Sequence, residues 1–240
     1  MISLNDISKI YTMGHVSVNA LGPVSLSIDK GEFLAVLGPS GSGKSTMMNI
    51  LGCLDRPSGG EYILDGIPVQ DYNRTKLARV RNGKIGFVFQ SFNLLPFATA
   101  YENIELPMLY ARMSGKSRKN KVAELLDNVG LSDRATHRPA ELSGGQRQRV
   151  AVARALANDP DIILADEPTG NLDTKSGTEI LELFERLNAK GKTLIFVTHD
   201  EKLASNANRI IRLLDGQVHQ DNAICEVTSV PEPVSLQTGH

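Results

Sequence analysis

Short, almost wholly apolar runs punctuate the chain: "FLAVL" at Phe33–Leu37, "IILA" at Ile162–Ala165 and "TLIFV" at Thr193–Val197. Runs of this length without polar alternation predict parallel strands buried on both faces. Mixed apolar and polar positions add strands at Ser25–Ile28, Tyr62–Leu64, Ile85–Phe89 and Arg209–Leu214. Asp65-Gly66 and Asp215-Gly216 are turn signals between strand-like runs. Helical patterns cover Lys44–Leu54, Ala100–Arg112, Lys116–Val129, Gly145–Asn158, Lys175–Ala189 and Glu201–Ala207. Strands and helices thus alternate over most of the chain, which predicts an α/β core around a parallel sheet. The segment up to Gly66 is strand-rich with tight turns and predicts an antiparallel β subdomain. Residues 93–157 hold no strand pattern and predict an α-helical subdomain inserted into the core.

The final stretch, "EVTSVPEPVSLQTGH", is polar and carries Pro231 and Pro233. Residues 226–240 are therefore expected to be a disordered tail behind one folded unit, 1–225.

Composition narrows the class. With 240 residues, 41% of them hydrophobic, the chain can bury a large core. A net charge of −1 without blocks of like charge argues against nucleic acid as a partner. Cys53 and Cys225 fit no zinc spacing and no disulfide framework, so a reducing compartment is expected. Asp6 interrupts the start where a leader would need its apolar stretch, and no run approaches the length of a membrane span. If the protein serves a membrane, another chain is expected to supply the spans.

Three motifs carry chemistry. "GPSGSGKS" at Gly38–Ser45 matches G-x-x-x-x-G-K-[ST] and stands between an apolar strand and a helix. Backbone N–H groups of Gly38, Pro39's successors Ser40, Gly41, Ser42 and Gly43, and of Lys44, can turn inward around phosphate oxygens. Lys44 can reach the β- and γ-phosphates, Ser45 can place its hydroxyl on Mg²⁺, and Thr46 is near enough for the α-phosphate. "DIILADEPTG" ends a strand in two carboxylates: Asp166 suits Mg²⁺, and Glu167 can accept a proton from an attacking water. "LSGGQRQRV" at Leu142–Val150 is a second glycine-rich helix start.

Together these residues resemble the nucleotide-binding subunit of an ATP-binding cassette (ABC) transporter, over Ile2 to Val218. The resemblance implies a P-loop NTPase core, ATP and Mg²⁺ as cofactors, and a head-to-tail homodimer with two ATP molecules between its subunits. Ser143, Gly144, Gly145, Gln146 and Asp173 would act in trans, on the nucleotide held by the partner copy. Gln90 at the end of "IGFVFQ" would be the Q-loop glutamine, reaching Mg²⁺ or the attacking water. His199 in "VTHD" would contact the γ-phosphate, and Tyr11 in "KIYTMG" would stack on adenine.

"NILGCLDRPSGGEYILDG" and "IGFVFQSFNLLPFATAYENIELP" resemble ATPases of the macrolide-exporter and lipoprotein-releasing type. That implies an integral membrane permease on a separate chain. It also implies a cytoplasmic location, peripheral on the inner face of the membrane. Phe92, Leu94, Leu95 and Phe97 are a candidate docking patch for it, or internal packing between lobes. The alternative is a soluble ABC-type ATPase uncoupled from transport. A kinase or GTPase is disfavoured by "LSGGQ" with "VTHD" and by the lack of a guanine-reading motif.

Overall fold

A computed structural model describes residues 1–14 and 16–223. The anticipated tail at 226–240, and Cys225, lie outside the described residues. The central sheet comprises β3 (Phe33–Leu37), β6 (Ile85–Phe89), β7 (Ile162–Asp166), β8 (Thr193–Thr198), β9 (Arg209–Leu214) and β10 (Gln217–Ala223). Their order is β10-β9-β3-β8-β7-β6, with every pairing parallel except β10 on β9.

Alternate residues of the buried strands serve opposite cores. Phe33, Ala35 and Leu37, with Ile163, Ala165, Leu194 and Phe196, face the helices α3 (Ala100–Tyr110), α4 (Gly115–Asn128), α5 (Gly144–Ala155) and α6 (Thr174–Ala189). Leu34 and Val36, with Ile162, Leu164, Ile195 and Val197, face α1 (Lys44–Leu51) and a second sheet. That sheet is antiparallel and holds β1 (Ile2–Met13), β2 (Val16–Ile28), β4 (Gly59–Leu64) and β5 (Ile67–Pro68) in the order β2-β1-β4-β5. Helices α3–α6 cover one face of the central strands and α1 with the second sheet covers the other, so these strands have no wet side and no need of polar residues.

Between β6 and β7 the described chain is helical. The helices there are well capped. Thr99 and Glu102 form a reciprocal capping box at α3, and Ser143 and Gln146 form one at α5. Asn103 is fully buried in α3; its side-chain amide bonds the carbonyls of Leu95, Ala98 and Thr99, and its oxygen accepts from the Leu95 N–H. One polar side chain thereby ties down the loop that leads into the helix.

The pattern-based reading differs from the structure in several places; the helices expected to Asn158 and Ala207 end at Ala155 and Ala204. The strand expected at Ser25–Ile28 runs from Val16, and Ile2–Met13 is its antiparallel partner. The helix α2 (Arg74–Lys84) carries Arg74, Lys76, Arg79, Arg81 and Lys84 and buries only Leu77, so it shows no apolar stripe. The helix expected to Leu54 ends at Leu51. Gly52 sits against the Phe87 ring, which leaves no room for a Cβ, and Cys53 takes φ 54°. Strand β10 is polar because it is the sheet's edge.

Candidate nucleotide site

Strand order sets the site. In a parallel sheet, loops at the C-terminal strand ends gather on one edge. Reading along β3-β8-β7-β6, that edge carries the glycine loop, His199, the Asp166–Glu167 pair and Gln90 in turn. Leu37 pairs with Thr198, Val197 with Asp166, and Asp166 with Phe89, so backbone pairing fixes these loops to one another.

A cavity of about 750 Å³ opens there. Pro39, Ser40, Gly41, Gly43, Lys44, Ser45 and Thr46 line one side, and Asp166, Glu167 and His199 the other. Val18, Asn19 and Ala20 of β2 complete it. These three were not anticipated; only the β1–β2 register reveals them. Gly38 and Ser42 do not line the cavity. Ser42 Oγ is buried behind the loop, 2.6 Å from where a Cβ on Gly38 would lie, and the Ser42 N–H donates to the Pro39 carbonyl at 3.2 Å. Gly43 takes φ 96°, and a side chain there would meet the Ala20 carbonyl at 2.7 Å, so glycine is required on both counts.

Lys44 is 8% exposed and donates to the carbonyls of Gly38 and Pro39 at 2.8 and 2.7 Å. Its burial lowers the ammonium pKa, while the charges of Glu167 and Asp166 oppose that. The Asp166 pKa is raised, first by desolvation and then by Glu167, with Lys44 acting against both. A half-buried carboxylate beside another carboxylate and a serine hydroxyl is an all-oxygen donor set in need of positive charge. That matches a hard divalent ion such as Mg²⁺, which keeps several waters. Ser45 and Asp166 both line the cavity and offer that donor set; among the described residues no group of three His, Cys, Asp or Glu side chains is placed to hold a metal ion by itself.

Glu167 has φ 41°, a left-handed conformation that costs a non-glycine residue about 1–3 kcal/mol. Its N–H donates to the Val197 carbonyl at 2.9 Å, and its Oε1 shares a hydrogen bond with His199 Nδ1. His199 therefore stands on Glu167. Its ring is largely exposed towards the cavity mouth.

Gln90 does not line the cavity. Its amide nitrogen lies 2.7 Å from where a Cβ on Gly170 would be, and its carbonyl accepts from Asn171 at 3.0 Å. Three strand spacings, roughly 14 Å, separate β6 from β3, which accounts for the gap.

Tyr11 stands directly opposite Val18 across β1 and β2, on the same face of the sheet and beside the cavity. Its hydroxyl donates to Asp55 at 2.9 Å.

Ser143, Gly144, Gly145 and Gln146 are absent from this cavity. Ser143 is exposed, and its Oγ accepts from the Gln146 N–H at 3.2 Å, which leaves the hydroxyl proton to donate outward. Gly145 is buried because Ser176 of α6 presses on it, 2.6 Å from a would-be Cβ. Asp173 caps α6, accepting from the Ser176 N–H at 2.9 Å and hydroxyl at 2.8 Å, contacts that lower its pKa. The helix start at Ser143 and the Asp173 turn therefore meet through Ser176.

Sheet order, the glycine loop at the end of β3 and the acidic end of β7 define a P-loop NTPase fold. A family profile described as ABC transporter matches residues 21–170. An uncharacterized ABC transporter ATP-binding protein of Thermotoga maritima is 57% identical over 218 residues, 91% of this chain and 93% of that protein. The macrolide export ATP-binding/permease protein MacB of Hyphomonas neptunium is 50% identical over 222 residues, 92% of this chain and 34% of that protein. The dimeric post-hydrolysis structure of the ATP-binding cassette MJ0796, bound to ADP and Pi, matches with a TM-score of 0.87 at 48% identity, covering 94% of this chain and all of that one. The chain belongs to the ABC transporter family, as an ATP-binding cassette.

Proposed function

We propose that the chain is the ATP-hydrolysing subunit of an ABC transporter, and that two copies close head to tail around two ATP molecules. The observation that carries this reading is the exposure of Ser143 at a capped helix start outside the chain's own phosphate cavity. A helix start with an outward hydroxyl and glycine backbone fits a γ-phosphate held by another copy. The MJ0796 cassette is dimeric in two structures, which supports the pairing of two copies.

In this reading the loop from Gly38 to Thr46 holds the phosphates, and Lys44 exchanges its two loop carbonyls for phosphate oxygens. Ser45 and Asp166, with Gln90, would hold Mg²⁺. When bound, Mg²⁺ would supply positive charge that offsets the charge of the phosphates. Glu167 accepts the proton of the attacking water, and His199 orients Glu167 and faces the γ-phosphate. Ser143 and the N–H groups of Gly144 and Gly145 act from the partner copy, and Asp173 joins the two sites. Hydrolysis cleaves the bridging γ-phosphate, and the copies separate once phosphate has been released.

We further propose that the dimer drives an integral membrane permease on a separate chain, placing the protein at the cytoplasmic face of a membrane. Among the described residues no helix is long and apolar enough to span one. A second cavity, of about 680 Å³, has Phe87 and Phe89 on one side and Pro107 and Tyr110 of α3 on the other. Phe97 is 72% exposed, whereas Leu94 packs on the core and the Phe92 ring lies 5.0 Å from the Arg147 guanidinium. An apolar groove with aromatic edges suits a helix of a partner. The test is size-exclusion chromatography with a phosphate-release assay: Mg²⁺-ATP should produce a dimer, ADP a monomer. ATP turnover without any nucleotide-dependent association would overturn the head-to-tail reading.

A further inference from the structure

The loop behind α1 is sewn to β1 at several points. Ser58 N–H donates to the Ser8 carbonyl at 2.7 Å, and Ile10 N–H donates to Ser58 Oγ at 3.0 Å. Asp55 stands at the head of this seam. Its Oδ1 accepts from Lys9 Nζ at 2.8 Å and from the Arg56 N–H at 2.7 Å, and its Oδ2 accepts the Tyr11 hydroxyl at 2.9 Å. Burial alone would raise the Asp55 pKa; the Lys9 contact and the other two hydrogen bonds outweigh it and hold the carboxyl low. Lys9 Nζ also lies 4.8 Å from the centre of the Tyr11 ring. The ring is thus held at its hydroxyl tip by one carboxylate while a cation sits beside it.

We propose that Asp55 is a positioning residue for the nucleobase: it fixes the Tyr11 ring so that the base stacks in register with phosphates held at the N-terminal end of α1. Asp55 follows α1, and α1 begins at Lys44 in the phosphate loop. The Asp55 N–H donates to the Asn49 carbonyl at 3.1 Å, so the loop folds back along α1, and the Tyr11 hydroxyl also interacts with Thr46 in the first turn of that helix; phosphate loop and ring are thereby tied to one rigid element. Tyr11 pairs with Val18, which lines the cavity, so the ring stands at the cavity's edge. A free tyrosine at a strand end would sample several rotamers; the carboxylate removes that freedom before nucleotide arrives. The inference rests on the proposed base contact of Tyr11 and adds a residue to it.

The experiment compares Mg²⁺-ADP with Mg²⁺-pyrophosphate, by calorimetry or competition, on the full chain. ADP reads base and phosphate together; pyrophosphate reads phosphate alone. Asp55→Ala should weaken ADP about tenfold, as loss of one oriented contact would, and leave pyrophosphate unchanged. Tyr11→Phe, which keeps Asp55 and the ring, should show a smaller loss of the same kind, and Asp55→Asn should restore most of the ADP affinity. Equal weakening of both ligands by Asp55→Ala overturns the proposal, since a general loosening of the fold acts on both. Should Tyr11→Ala lower ADP affinity alone and Asp55→Ala lower neither, the positioning role fails while the stacking role stands. If Tyr11→Ala changes neither ligand, the base contact itself is wrong.

Discussion

Glu167 Oε1 and His199 Nδ1 share a hydrogen bond across the ends of the neighbouring strands β7 and β8. The bond pairs the candidate base with the one imidazole in the cavity. It also makes the two side chains a unit whose members should not be separable by mutation.

Glu167→Gln should therefore lower kcat by two to four orders of magnitude, the usual scale for losing a general base (about 10²–10⁴). The variant should still bind Mg²⁺-ATP and accumulate as a dimer. His199→Ala should cost less alone, and almost nothing further in the Glu167→Gln chain. Steady-state phosphate release on the four proteins of this cycle measures the coupling; additive losses would dissolve the pair.

Composite sites make a separate prediction. Mixing Ser143→Arg chains with Lys44→Ala chains should recover ATPase activity that neither has alone. Each mixed dimer then holds one undamaged site, with the intact loop of one copy facing the intact helix start of the other. Sites closed within a single chain would give no recovery at any mixing ratio.

Arg154 leaves α5 to donate to the carbonyls of Asn93 and Phe92 at 2.5 and 2.8 Å, and both residues have positive φ, 47° and 62°. Arg154→Met removes both donors from a loop that holds an unusual backbone. It should destabilise the chain by about 2 kcal/mol in urea unfolding, the scale of losing charged hydrogen bonds.

Lys84 bridges Asp161 at 2.7 Å and Asp65 at 3.1 Å, tying α2 to the start of β7 and to the β4–β5 turn. Hydrogen bonding from Lys84 lowers the Asp161 pKa, and the same contacts raise that of Lys84. A lowered carboxylate pKa contributes stability above its unfolded value, near 4, that is lost as pH falls through the folded value. The raised lysine contributes below its own unfolded value, near 10, and is lost as pH climbs through the folded one. Lys84→Met should cost under about 1 kcal/mol at pH 7, because the pair is part-exposed, and the difference from wild type should vanish near pH 2.

Cys53 is buried and its thiol is pushed up to about 11, chiefly by burial. In a Cys225→Ser chain a maleimide should label nothing at pH 7 until denaturant is added, because the thiolate is both scarce and covered.

How much of this was legible beforehand follows from where each residue sits. Phe33–Leu37, Ile162–Ala165 and Thr193–Val197 are buried on both faces, and their composition says so. The edge strand β10 is "QVHQDNA"; Arg209 and Asp221 hold it with two contacts of 2.6 Å, so its reason for being a strand lies in another segment. In α2 a row of cations conceals a helix that buries one leucine. At the site, the residue types that bind phosphate were readable, since the loop needs glycines and a lysine in a fixed order. The φ of Glu167, its partnership with His199 and the clasp of Asp55 on Tyr11 depend on segments distant in sequence, and no local pattern encodes them.

The row of loops along β3-β8-β7-β6 is spaced by backbone hydrogen bonds, whereas the helix start at Ser143 is seated by the contact of Gly145 with Ser176. The two halves of the chemistry thus have unequal tolerance to change. A drifting sequence can repack α5 against α6 and retune how one copy hears the other, and the spacing between Lys44, His199 and Glu167 stays where the sheet put it. In the proposed dimer, conversation between subunits is the adjustable part, and the spacing of the residues proposed for catalysis is the part held constant.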